Sequence, residues 1–161
     1  ATVGGSVFGR FGFSDVLTLL LVMDSYVELY KGGIVPLADF VNMPYDRDIL
    51  VRIIVKKTAA HYSYKSVRIS KTDFPVLTCA AALTQEGVQA AVGARPAKAM
   101  LVKDAEQLAT LPMTAEKAQA FAEYAAGLLP TETNPRGSAA YRTHLIKVLT
   151  ARCLTELGGK A

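Results

Sequence analysis

The chain has 161 residues, and 18 Lys and Arg against 14 Asp and Glu give it a formal net charge of +4. A hydrophobic fraction of 51% with 20% charged residues excludes a disordered chain, and the cations form no long block, so no nucleic-acid partner is implied. The longest strongly apolar run, 16–23, is broken by Thr18 and falls far short of the roughly 18–20 residues that span a bilayer.

Gly4 and Gly5 open a loop expected to run to Ser14. Ser14 is a helix N-cap candidate, and Asp15 in the first turn complements the helix dipole. A short, mostly buried helix over 16–23 follows. The alternation at 26–30, the turn Lys31-Gly32-Gly33 and the return at Ile34-Val35 predict a hairpin. Pro36 to Phe40 is expected to form one helical turn. The β-branched residues Ile49, Val51, Ile53, Ile54 and Val55 predict a strand.

Residues 61–67 read as extended. The apolar segment 75–83 is a central-strand candidate, Glu86-Gly87 a turn, 88–92 an antiparallel return and 99–102 a third strand. Beyond this point the period becomes helical. Asp104 and Gln107 have capping-box spacing, with Leu108 and Leu111 facing the core. Thr114 starts a second helix, with Ala118, Phe121, Ala122, Ala125 and Leu129 on one stripe. Ser138 starts a third, with Tyr141, Leu145, Val148, Leu149 and Leu157 inward, closed at Gly158-Gly159. Segregated strands and helices make the fold class α+β, with a three-stranded antiparallel sheet packed by three helices in the C-terminal part.

Cys79 and Cys153 have no CxxC spacing and cannot by themselves form a zinc or iron–sulfur site, so no metal ligands are assigned. Both read as buried, and a reducing, cytoplasmic setting fits them. His61 and His144 read as surface or structural histidines. No P-loop, HExxH or GxSxG is present, which disfavours kinase and hydrolase chemistry. The chain starts at Ala1 without a Met and without a secretory signal pattern, as expected for a piece of a longer or processed protein.

Several local patterns share one likeness. Ala1-Thr2-Val3-Gly4-Gly5-Ser6, Ser14-Asp15 with its Leu-rich helix, Val27-Glu28-Leu29 with Pro36-Leu37-Ala38-Asp39-Phe40, Asp48-Ile49-Leu50, Tyr64-Lys65 followed by Arg68, and Asp73-Phe74-Pro75 occur in order. Gly93-Ala94-Arg95-Pro96 and the segment from Arg136 to Arg142 complete the series. Together they resemble the FAD-binding subunit of the molybdenum hydroxylases, the family of xanthine dehydrogenase and aerobic carbon monoxide dehydrogenase. The resemblance covers nearly the whole chain but not that family's N-terminal FAD subdomain. It implies the second half of a PCMH-type FAD-binding domain over 1–57 and a C-terminal domain over 58–161.

The resemblance further implies an FAD-dependent oxidoreductase subunit that carries electrons from 2Fe–2S clusters through FAD to NAD+ or another acceptor, inactive as an isolated chain. The molybdopterin-binding subunit and the 2Fe–2S subunit are the expected partners, and FAD, held weakly, the expected cofactor. No residue is assigned a catalytic role. Thr2, Gly4, Gly5 and Ser6 are the implied diphosphate loop, where glycines admit backbone N–H groups to phosphate oxygens; the same pair also reads as a plain turn. Asp15 is implied to contact FAD, or serves only the helix dipole. Leu50 is a flavin neighbour or a core strand residue. Lys65 is a cation beside the reduced flavin or a solvated lysine. Tyr62, Tyr64 and Phe74 are of the type that stacks on a flavin ring, but such aromatics are more often core or cross-strand pairs, and none is assigned to the site. The other reading is a non-flavin structural or subunit-docking domain that self-associates through exposed apolar surface.

Overall fold

The computed structural model describes residues 1–159. Its elements, in order, are α1 (Val3–Phe8), α2 (Asp15–Leu21), β1 (Ser25–Leu29), β2 (Gly33–Pro36), α3 (Leu37–Phe40), β3 (Leu50–Val55), β4 (His61–Val67), β5 (Leu77–Thr84), β6 (Gly87–Gly93), β7 (Met100–Lys103), α4 (Ala115–Leu128) and α5 (Ala139–Gly158). Two antiparallel sheets result, ordered β2-β1-β3 and β4-β5-β6-β7. The class is α+β, as expected.

The second sheet is covered on both faces. Alternation along β5 sends Leu77, Cys79, Ala81 and Leu83 to a core shared with α4 and α5. It sends Ala80 and Ala82 to the opposite core, which holds Val7, Leu17, Leu21, Val27 and Phe40 from the N-terminal elements. A strand without a solvated polar face is what two-sided burial demands, and the first seven residues of β5 are buried, Thr78 among them. On the N-terminal side the sheet offers Thr78, Ala80, Ala82, Ala91 and Gly93, so α2 can lie close against it. Thr18 and Thr78 share a buried hydroxyl hydrogen bond of 2.9 Å across this contact.

The structure corrects the sequence expectations at four places. The Gly4-Gly5 segment is not a loop but lies inside α1, capped by Thr2 and anchored by buried Val7. Capping and burial together outweigh glycine's cost in a helix of about 1 kcal/mol per residue. The second sheet has four strands, not three, because 61–67 pairs with β5 from His61↔Leu83 to Val67↔Leu77. That strand is half polar, as an edge strand is. The helix expected after Asp104 is a turn. Its carboxylate accepts from Leu108 N at 2.9 Å and Ala109 N at 2.7 Å, reaching past the helical capping positions, and Gln107 sits at φ 56. Two helices therefore follow the sheet. Finally, Leu111 and Tyr141 are exposed at 53% and 45% rather than facing the core.

The α2–sheet contact makes a sharp test. A Cβ on Gly93 would lie 2.4 Å from Thr18 Oγ1 and 2.6 Å from Thr78 Oγ1. Gly93→Val is expected to destabilise by about 1–3 kcal/mol through overpacking. Thermal unfolding followed by circular dichroism should show a Tm loss of about 2–4 °C per kcal/mol; an unchanged Tm would remove this contact from the account of stability.

Candidate functional site

The N-terminus of α1 rests against the start of β3. Thr2 Oγ1 accepts from Gly5 N at 3.1 Å, and Thr2 O accepts from Ser6 N at 2.9 Å. Helix geometry leaves the N–H groups of Val3 and Gly4 without an intrahelical acceptor. A Cβ on Gly4 would meet nothing nearer than Leu50 Cδ2, at 3.7 Å, so packing does not require glycine there. At Gly5 a Cβ would come within 3.0 Å of Thr2 Oγ1 and crowd the cap. Thr2, Gly4, Gly5, Ser6 and Leu50 thus lie at one place.

Asp15 begins α2 behind the Ser14 cap, where Leu17 N donates to Ser14 Oγ at 3.1 Å. Its carboxylate is held by β4 and the segment after it. Tyr64 donates its hydroxyl at 2.6 Å, and Arg68 Nη2 reaches both carboxylate oxygens at 2.6 Å. Arg68 Nη1 also donates to Asp73 O at 2.7 Å. Burial first, and then the Asp15 carboxylate, push the Tyr64 phenol well above its ordinary value. The hydrogen bond to Asp15 raises Arg68 further.

Lys65 lies elsewhere. It pairs across the ladder with Cys79, whereas Tyr64 pairs with Ala80, so the two neighbours point to opposite faces of the sheet. Lys65 Nζ donates to Glu156 Oε2 of α5 at 2.7 Å, and Ser63 Oγ donates to the same oxygen at 2.9 Å. This hydrogen bond is the main cause that raises the lysine. The chain therefore brings together the Thr2–Ser6 segment with Leu50, sets Asp15 against Tyr64 and Arg68, and holds Lys65 on the far side of the second sheet.

Among the aromatic candidates, Tyr62 bonds Thr58 through its hydroxyl at 2.9 Å and Tyr64 is committed to Asp15. Phe74 is exposed and lies 4.3 Å, ring to ring, from Phe13, which stacks on Phe11 at 5.2 Å. The sequence reading passed over Phe11 and Phe13. It also passed over Arg10, a buried cation that donates to Phe40 O at 3.2 Å and Met43 O at 2.6 Å. The only signal for Arg10 was a charge inside an otherwise apolar, glycine-rich stretch. Within the Arg136 to Arg142 segment it is Arg142 that fixes packing, while Tyr141 is exposed. Arg142 is fully buried and donates to Val76 O at 3.0 Å, Glu132 O at 2.7 Å, Asn134 Oδ1 at 2.6 Å and Gly137 O.

His61 and His144 are exposed, and Cys79 and Cys153 are buried free thiols. Among the described residues no group of three His, Cys, Asp or Glu could hold a metal ion, and no helix is long and apolar enough to cross a membrane.

Residues 62–157 match the family model of the CO dehydrogenase flavoprotein C-terminal domain. The chain belongs to this family. The match bears out the sequence resemblance to the FAD-binding subunit of the molybdenum hydroxylases. A curated relative, the uncharacterized protein YgfM of Escherichia coli K12, is 29% identical over 152 residues, 94% of this chain and 56% of that protein. Carbon monoxide dehydrogenase from Hydrogenophaga pseudoflava superposes with a TM-score of 0.86 at 20% identity, covering 100% of this chain and 62% of that one. Quinoline 2-oxidoreductase from Pseudomonas putida 86 gives 0.81 at 21% identity, covering 100% and 61%. At these identities the likeness is one of fold. The chain spans little more than half the length of the curated relative and of these solved chains.

The Asp15 cluster predicts a titration. In Asp15→Asn the carboxylate charge that adds to the effect of burial on Tyr64 is gone. The phenol should then ionise closer to its usual value of 10.0, read as an earlier absorbance rise near the tyrosinate band. In the parent chain the raised phenol contributes stability that is fully present below that value and is lost as pH rises above it. The ion pair itself is half-exposed, so the same variant should lose only about 1 kcal/mol.

Proposed function

We propose that the chain supplies one wall of an FAD site in an electron-transfer subunit of a molybdenum-hydroxylase-type complex, with 1–57 as the second half of the FAD-binding domain and 58–161 as the C-terminal domain. Family membership supports the setting. The observation that carries the site is the α1 terminus: Gly4 has no side chain, faces no atom that would forbid one, and lies against Leu50. A Cβ there would occupy the approach to the backbone rather than clash with the protein. Such an open backbone fits a diphosphate.

In this reading the amides of Val3 and Gly4 bind the diphosphate, with the Thr2 and Ser6 hydroxyls beside them. Thr2 also keeps the helix end closed by holding Gly5 N. Leu50 gives the apolar wall below Gly4. Asp15 is oriented by Tyr64 and neutralised by Arg68, so it does not repel the anionic cofactor and can accept from a ligand hydroxyl. Lys65 would act on the site only through the sheet, because Glu156 holds it on the other face. FAD, when bound, supplies the redox chemistry that passes electrons between a 2Fe–2S partner and NAD+ or another acceptor. The molybdopterin-binding subunit would be a separate chain, and this chain alone would be inactive. The two free buried thiols support a cytoplasmic setting.

A second reading, a docking domain without flavin, draws on β3. It is an edge strand in the first sheet, and Ile49, Val51 and Val55 are exposed at 65%, 53% and 40%. An apolar edge of this kind favours self-association.

FAD titration followed by flavin fluorescence separates the two. Saturable quenching is expected in the parent chain. Gly4→Val should weaken it by at least about tenfold while Tm stays level or rises, because glycine is the poorer helix former. Absence of binding in a colourless, self-associated preparation would favour the docking reading; equal FAD affinity in the variant would remove the glycine site.

A further inference from the structure

A cluster of sulfur and polar groups interrupts the apolar core between the second sheet and α5. Cys79 on β5 and Cys153 on α5 both belong to that core, are fully buried and carry free thiols. Cys79 Sγ lies 3.5 Å from Thr150 Oγ1. Thr150 and Cys153 are three residues apart on α5, hence neighbours on its surface, and so are Cys153 and Glu156. Glu156 accepts from Lys65 Nζ at 2.7 Å and from Ser63 Oγ at 2.9 Å, and Lys65 stands directly opposite Cys79 on the β4–β5 ladder. Cys79 thus meets α5 at Thr150, while its ladder neighbour meets α5 at Glu156. Cys153 lies between those two positions, so ladder register and helix spacing bring the two thiols within reach of one another.

The thiols are not equivalent. The neighbouring sulfur is the main influence on each: it raises Cys79, which burial raises further, and it lowers Cys153. Ser63 and the Lys65 ammonium also favour the Cys153 thiolate, against burial and the Glu156 carboxylate. Cys153 is therefore the nucleophile and Cys79 the proton holder. Buried thiols in purely apolar surroundings are inert, whereas a cation beside a thiolate marks a reactive one. The way in is short, because the Lys65 and Glu156 side chains are 31% and 40% exposed and β4 is the edge of its sheet.

We propose that Cys79 and Cys153 form a reversible intrachain disulfide that a hydroperoxide closes, locking α5 to the central strand. In the first step the Cys153 sulfur attacks the outer oxygen of the hydroperoxide. An S–O bond forms, the O–O bond breaks, and the departing oxygen takes up the proton that Cys153 gave up. Sulfur loses two electrons and the peroxide gains them. In the second step the Cys79 sulfur attacks the sulfenic sulfur. The S–S bond forms, the S–O bond breaks, and hydroxide leaves as water with the Cys79 proton. A dithiol reopens the pair by exchange and is itself oxidised to a disulfide. Transient pairing of this kind suits a reducing setting, where static disulfides are rare. It concerns the core under α5 and holds whether or not the chain binds FAD.

The test treats the reduced full chain with hydrogen peroxide, counts thiols after unfolding and maps the peptides by mass. Loss of both thiols with one intrachain Cys79–Cys153 link is expected, and dithiothreitol should restore both. Cys79→Ser should stop at a Cys153 sulfenic acid that dimedone traps. Lys65→Met should slow thiol loss by at least about fivefold, and Lys65→Arg should restore the rate, which a merely structural lysine would not explain. Circular dichroism checks that each variant is folded, and the parent chain alone decides whether the link forms. Two thiols still free after treatment overturn the proposal, as do sulfonic acids without a link or a link between two chains. Dimedone capture at Cys79 in Cys153→Ser but not at Cys153 in Cys79→Ser overturns the order of attack. An unchanged rate in Lys65→Met overturns the part given to the cation.

Discussion

Burial of the second sheet on both faces is the constraint on which the rest depends. β5 and β6 cannot be amphipathic, because one face meets α5 and the other meets α2 and the first sheet. The two faces solve this differently. Toward α4 and α5 the large or branched side chains Leu77, Leu83, Val88 and Val92 stand among the smaller Cys79, Ala81 and Ala90, and they pack in one core with Phe121, Leu149 and Leu154. Toward α2 they are mostly small, Thr78, Ala80, Ala82, Ala91 and Gly93, so the backbones approach, and polar contact comes from the Thr18–Thr78 pair and from Gln89 Nε2, which donates to Val22 O at the end of α2. Any bulk on the small-residue face would push α2 outward, and with it Ser14, Asp15 and the segment that leads back to α1.

Buried or half-buried arginines do the joining that regular structure does not. Arg10 gathers the carbonyls that end α3 and lies 4.3 Å from the Phe40 ring centroid and 4.2 Å from that of Tyr45. Arg95 binds Lys98 O at 3.1 Å and Pro130 O at 2.7 Å, tying the β6–β7 connection to the end of α4. Arg142 closes the loop before α5 onto Val76. In each case the planar guanidinium answers several loop carbonyls at once, which a lysine cannot do in the same geometry. Desolvation lowers Arg95 and Arg142 somewhat, but each sits among oxygen acceptors and keeps its charge.

Much of this was legible in the sequence, and the rest was hidden for identifiable reasons. The Ser14, Thr114 and Ser138 caps, the 25–36 hairpin and the central strands follow from local chemistry that tertiary contacts did not override. β4 was seen as extended but not counted in the sheet, because Ser63, Lys65 and Ser66 mask its pairing. The Asp104 turn has a capping-box pattern, and only the left-handed Gln107 tells it from a helix. α1 was hidden by its glycines, since helix propensity is a weak prior against a cap and a buried valine. At the candidate site, the Thr2–Ser6 segment and Asp15 could be marked from sequence. Arg68 as the partner of Asp15 could not, because that contact joins residues 53 apart.

Strand parity decides which of the neighbouring polar residues in β4 can serve one site. Tyr64 and Lys65 are adjacent in sequence and both attractive beside a flavin, yet a pleated strand must send them to opposite faces. Tyr64 goes to the α2 side and meets Asp15; Lys65 goes to the α5 side and meets Glu156. The cation that faces Asp15 is consequently that of Arg68, which lies beyond the end of the strand and is free of its alternation. A neutral pair thus stands at the start of α2, and neither member leaves a bare charge there. The electrostatic character of that corner is set less by any single residue of the motif than by the register that brings β4 to Asp15.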